Sequence, residues 1–218
     1  MIDAIVISVQ VAFVATAINL PVALLLSWLV VKKRIRGAFL LDILASLPLA
    51  VPPVVVGYML LLLLGRRGPL GKLLESALGW DIVFTWVAAA IAAAIVSFPL
   101  TARAIMVAMQ GVDERIERSA RSLGAGPLRV VFTITLPLAY RGILAGILLG
   151  FVRAISEFGA TIVVAGNIPG KTQTLPLAIY HSVQLGRDSE ALILAAVSIA
   201  LAIAALAVHN WLVARSKG

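Results

Sequence analysis

The chain has 218 residues, 61% of them hydrophobic and 13% charged, with a mean hydropathy of +1.07. Soluble domains carry about a quarter charged residues, so the composition is that of a membrane protein. The net charge of +8 reads as basic loops held at the inner leaflet rather than as a nucleic-acid surface, and the absence of cysteine excludes disulfides and thiolate chemistry.

A first span is expected over residues 5–31, interrupted by Asn19 and Pro21. It follows Asp3 with no basic segment before it and is long enough to cross, so it reads as a span rather than a cleaved leader. Lys32, Lys33, Arg34 and Arg36 then mark a cytoplasmic loop. A second span, 40–64, contains Pro48, Pro52 and Pro53, which predict a kinked or partly unwound helix buried against others. Such a break is either a plain kink or a wall of a transport pathway. Residues 65–82 form an outer loop with an amphipathic piece over 70–78, and Trp80 and Trp86 sit where interfacial aromatics belong. The third span, 84–109, carries Ser97, Pro99 and an Arg103 close enough to its end to snorkel.

A polar, basic island comes next, residues 113–141, with membrane-length apolar segments on both sides. It has no His, no Cys and no phosphate-cradling glycine loop, so it suits docking to another protein better than catalysis. Asp113 is placed to cap a helix, and Glu114/Arg118 and Glu117/Arg121 form acid-first pairs four residues apart. Gly124 is placed to end that helix, and Gly126-Pro127 to start another whose apolar face is Val130, Val131, Phe132 and Ile134. Two short helices meeting near a right angle at the cytoplasmic face are expected.

The fourth span, 142–164, contains Arg153, Ser156 and Glu157. Intramembrane charges are costly unless paired, and the spacing of Arg153 and Glu157 puts them on one helix face. They are either a structural ion pair or part of the pathway. Ser156, Thr161 and Asn167 can donate to an oxyanion, although single hydroxyls in spans commonly bond nearby backbone. Residues 166–190 read as a loop with a short helix over 176–185, and the last span, 191–212, ends in Arg215 and Lys217. His181 and His209 are too far apart in sequence to suggest a metal site. With the island inside, 11 Lys and Arg fall on the inner side, 5 outside and 2 within spans. That bias predicts five spans with the amino terminus outside and the carboxyl terminus cytoplasmic. No internal repeat is visible, which argues against a secondary transporter.

The island resembles the EAA loop of ABC-importer permease subunits, whose pattern is Glu-Ala-Ala, three residues, Gly, nine residues, then Ile-x-Leu-Pro. Here Gly124 is followed by nine residues and Ile134-Thr135-Leu136-Pro137. Arg118-Ser119-Ala120 stands where Glu-Ala-Ala would, with Glu117 one place early. LPLAVPPVVVGYMLLLLLGRRGPLG, SLGAGPLRVVFTITLPL and RAISEFGATIVVAGNIPGKTQTLPLAIY resemble the oxyanion branch of that family, the molybdate permeases in particular.

The resemblance implies one all-α transmembrane permease domain over 1–218, with a coupling loop at about 110–141, in a prokaryotic cytoplasmic membrane. It implies a homodimer, a separate ATP-binding subunit below, and a periplasmic or lipid-anchored molybdate-binding protein above. Coupling to the ATPase would fall to Glu117, Arg118, Ser119, Ala120, Gly124, Ala125, Leu136 and Pro137. Pro52, Pro53, Arg153, Ser156, Glu157 and Thr161 are the pathway candidates. The chain has no Gly-x-x-x-x-Gly-Lys-Ser/Thr sequence, so ATP is expected on the partner, and neither enzymatic activity nor a cofactor is expected here. A sulfate, thiosulfate or tungstate permease, or an ATP-independent anion transporter, are the alternatives.

Overall fold

A computed structural model describes residues 2–32 and 37–216, and helices are the regular elements among them. Lys33, Arg34, Arg36 and Lys217 lie outside the described residues.

Helix α1 (Ile2–Ser27) runs unbroken through Pro21 and continues as a π-helical turn, Trp28–Lys32. Asn19 does not interrupt it: the buried amide donates to Ala94 O at 2.9 Å and Ser97 Oγ at 3.0 Å on a neighbouring helix. The expected second span is two helices, α2 (Ala38–Ala50) and α3 (Pro53–Leu64), bent by 106°. Pro52 is extended, with φ −54° and ψ 134°, as the residue before a proline prefers, and Pro53 opens α3 where its missing N–H costs nothing. Next come the short outer helix α4 (Pro69–Leu78) and the long α5 (Trp86–Gln110), whose N-cap Thr85 accepts from Ala88 N.

The island holds α6 (Glu114–Ser122) and then α7 (Pro127–Val130), a π-helical turn Val131–Thr135 and α8 (Leu136–Ile155). The last three form one 29-residue helix, Pro127–Ile155. The expected second short helix is therefore the foot of the fourth span. That span also ends at Ile155, short of the expected 164, and α9 (Gly159–Val164) is a separate element. Helices α10 (Leu175–Gln184) and α11 (Asp188–Ser216) complete the chain. Among the described residues, four helices are long and apolar enough to cross a membrane, and α2–α3 makes a fifth if the bent pair is one span.

Helix α5 is the axis, flanked by α1 and α8, with α11 lying on α8 and α3 on α9. Of its apolar stretch 61% is buried, against 11% for α11. Ala88, Ala89, Ala90, Ala92, Ala93 and Ala94 are all buried, because helix association in lipid depends on close packing rather than on escape from water. On α8, Gly142, Gly146 and Gly150 recur every four residues against Ala108, Ala104 and Thr101 of α5. A Cβ at Gly142 would lie 2.6 Å from Ala108 Cβ, so the helices touch backbone to side chain. Gly57 does the same for α3, where a Cβ would lie 2.6 Å from the Ala160 carbonyl oxygen of α9.

Arg103 does more than reach for the interface. Its Nη2 donates to Ser46 Oγ at 2.8 Å and lies 3.6 Å from Asp42 Oδ2, tying α5 to α2. His209 Nδ1 sits 3.0 Å from Ala145 O, joining α11 to α8.

Candidate functional site

Helix α6 is built by local rules at both ends. Asp113 Oδ1 accepts from Arg115 N at 2.8 Å and caps its start. At its end, Ala125 N donates to Ala120 O at 3.1 Å and Gly124 N to Arg121 O at 3.0 Å, while Gly124 takes φ 86°. This paired, left-handed termination is the reason for glycine there. Ala120, Gly124 and Ala125 are thus the termination itself, and the Ser119 hydroxyl turns back onto Arg115 O at 3.0 Å.

Glu117 is the buried residue of α6, and it faces inward. Its Oε1 lies 3.0 Å from Lys32 Nζ and accepts from Thr135 Oγ1 at 2.7 Å, and Arg121 Nη2 reaches Oε2 at 3.5 Å. Lys32 also donates to Val112 O at 3.4 Å, and its side chain is only 8% exposed. A buried ion pair that loses one partner leaves an uncompensated charge, at a cost of about 3–5 kcal/mol. The expected Glu117/Arg121 pair is present, but Lys32 and Thr135 carry the shorter contacts. Neither was legible as a partner, because Lys32 is far away in sequence and Thr135 occupies the variable place of Ile-x-Leu-Pro. Arg118, spaced to pair with Glu114, donates through Nε to the Glu114 carbonyl at 3.4 Å.

The outward surface is basic and apolar. Arg118 and Ser119 are exposed, with Ile116, Leu123, Leu128 and Phe132; Leu123 is 90% exposed. The single apolar face expected over 130–134 is split: Val130 is buried, Phe132 points out, and Val131 and Ile134 are intermediate. Leu136 is half-buried and Pro137 exposed. Pro137 has no N–H to send back to Thr133, and the wide turn lies just there.

The pathway candidates gather where two chain breaks meet. Gly159, opening α9, lies against Pro53 and Val54, opening α3. At the α8–α9 break, Arg153 Nη1 lies 2.8 Å from Glu157 Oε2, and Glu157 Oε1 accepts from Ala160 N at 2.9 Å. The carboxylate therefore serves Arg153 and the first turn of α9 together, so the pair clasps the break and does not lie mid-span. Ser156 is exposed and donates to Arg153 O at 3.1 Å, the backbone bond that hydroxyls in spans favour. Thr161 is buried, and its hydroxyl has no hydrogen-bond partner among the described residues. Asn167 accepts from Gln173 Nε2 at 2.9 Å, which closes the adjoining loop.

Three comparisons bear on this arrangement. The chain is 46% identical over 216 residues to the molybdenum transport system permease protein ModB of Escherichia coli (strain K12), covering 99% of this chain and 94% of the relative. It is 37% identical over 177 residues to the sulfate transport system permease protein CysW of Synechococcus elongatus, covering 81% of this chain and 62% of the relative. The structure of the MetNI methionine ABC transporter in inward-facing conformations aligns with a TM-score of 0.67 at 15% identity, covering 96% of this chain and 93% of that one. Residues 19–218 match the family model for the binding-protein-dependent transport system inner membrane component. The chain belongs to that family.

Proposed function

We propose that the chain forms, with a second copy, the transmembrane pathway of an ATP-driven molybdate importer. The observation that carries this is the near full-length similarity to a molybdenum permease, which exceeds in extent and identity the similarity to a sulfate permease. A separate subunit binds and hydrolyses ATP, and a binding protein delivers the oxyanion at the opposite face. Arg118, Ser119, Leu123 and Phe132 present the docking surface for the ATPase, held in shape by Ala120, Gly124 and Ala125 below and by Leu136 and Pro137 at the foot of α8. Leu123 and Phe132 supply the exposed apolar area that such a contact needs. The meeting of the α2–α3 and α8–α9 breaks, with Pro52, Pro53, Ser156, Thr161 and the open side of Arg153, is the proposed wall of the pathway. Irregular backbone at membrane depth is tolerated where it is buried in protein or lines a cavity. The Arg153–Glu157 clasp keeps that wall in register.

The test is uptake of radiolabelled molybdate into proteoliposomes holding this chain, its ATPase subunit and its binding protein, with sulfate and tungstate as competitors. Uptake is expected to need all three components and ATP, and to resist excess sulfate. Uptake by this chain alone, indifferent to ATP, would return the reading to an independent anion transporter.

A further inference from the structure

We infer that Glu117 is not a docking contact but the internal pin of a three-element joint, and that this joint carries the motion of α6 into the bundle. The inference rests on the importer reading for its functional part and on geometry for the rest. Both π-helical turns among the described residues end on an arm of the joint: Lys32 closes the turn Trp28–Lys32, and Thr135 closes the turn Val131–Thr135. Wide turns of this kind shift the register of the residues beyond them and gather at functional sites. Here each one delivers a side chain to the same carboxylate oxygen, at 3.0 Å from Lys32 and 2.7 Å from Thr135. The carboxylate is 2% exposed, so a partner on the outer face of α6 cannot reach it.

The consequence is mechanical. Through the chain itself, α6 is linked to α5 by residues 111–113 and to α7 by residues 123–126. Both connections contain glycine and hinge easily. The Glu117 contacts add a non-covalent tie to the end of α1, which no loop joins to α6, and a second tie to the foot of α8. Helices α1 and α8 are the two that flank the central α5. A push on Arg118 and Leu123 therefore reaches both flanks of the bundle at once.

The experiment uses a spin-label pair, at Leu25→Cys on the exposed side of α1 and Ser122→Cys at the end of α6, in a chain that has no cysteine of its own. The inter-label distance is expected to be single and narrow in the permease by itself, and to stay so in the full importer with and without nucleotide. Lys32→Met, and independently the shape-preserving Glu117→Gln, should broaden it. In proteoliposomes both variants should retain the ATPase subunit and hydrolyse ATP within about twofold of wild type, but lose about tenfold in molybdate taken up per ATP. Lys32→Arg should restore most of that ratio. A wild-type distance that changes with nucleotide, an unaltered ratio in both variants, or loss of the ATPase subunit on either substitution would overturn the joint. Wild-type liposomes without ATP-driven uptake would instead overturn the importer reading, and the distance measured in the permease alone would still decide the joint.

Discussion

Among single residues, Gly124 separates shape from contact. A Cβ there would meet no atom within 4 Å, so only its φ of 86° resists substitution. A left-handed conformation costs an L-residue roughly 1–2 kcal/mol, and the strain is confined to the end of α6. Gly124→Ala is therefore expected to lower the melting of the bundle less than a clash inside it would, while lowering ATP-driven uptake several-fold. Uptake at the wild-type rate in proteoliposomes would mean that the termination does not matter for coupling. Asp113 and Gly124 were legible from sequence because caps act over a few neighbouring residues. The direction of Glu117 was not, since Lys32 reaches it only through the packing of α1 against the rest.

Between elements, small residues set the distances. The Gly142, Gly146 and Gly150 stripe sets the approach of α8 to α5, and a side chain at Gly150 would run into Thr101. Overpacking a tight contact costs typically about 1–3 kcal/mol, so Gly150→Val should lower the melting temperature of the detergent-solubilised permease. Gly126→Ala is the control, as nothing lies within 4 Å of a Cβ there. Equal melting of the two variants would show that the stripe is not a packing seam. Element boundaries were read poorly from sequence wherever hydropathy runs on through a break. Residues 142–164 look continuous, yet the chain turns at 156–158, where Glu157 satisfies the first turn of a new helix. Pro52 and Pro53 announced a break, but a 106° bend depends on α3 finding α9 through Gly57.

On the scale of the whole molecule, the contacts fix which ends share a side. Lys32 meets Glu117, and Leu175 N donates to Ser8 Oγ, so the foot of α1 lies with the island and its start lies with the 165–175 loop. If the island faces the cytoplasm, as the positive-inside rule leads one to expect from the sequence, the start of α1 lies outside. Because the chain has no native cysteine, single introduced thiols report this topology without background. A membrane-impermeant maleimide should label Ser76→Cys on α4 in intact spheroplasts, and Ser119→Cys on α6 only in inverted vesicles. Labelling of Ser119→Cys from outside would reverse the topology.

Composition, hydropathy and local capping by themselves determined that this is a membrane protein of several apolar spans, with a polar island whose first helix has a defined start and stop. Those properties depend on residue type and near neighbours, which a sequence displays directly. The tertiary structure alone decided that α5 is the axis, that two chain breaks meet, and that Glu117 turns inward to Lys32 and Thr135. Each of these depends on side chains brought together from distant parts of the chain, where burial sets the worth of a contact and spacing in sequence carries no signal.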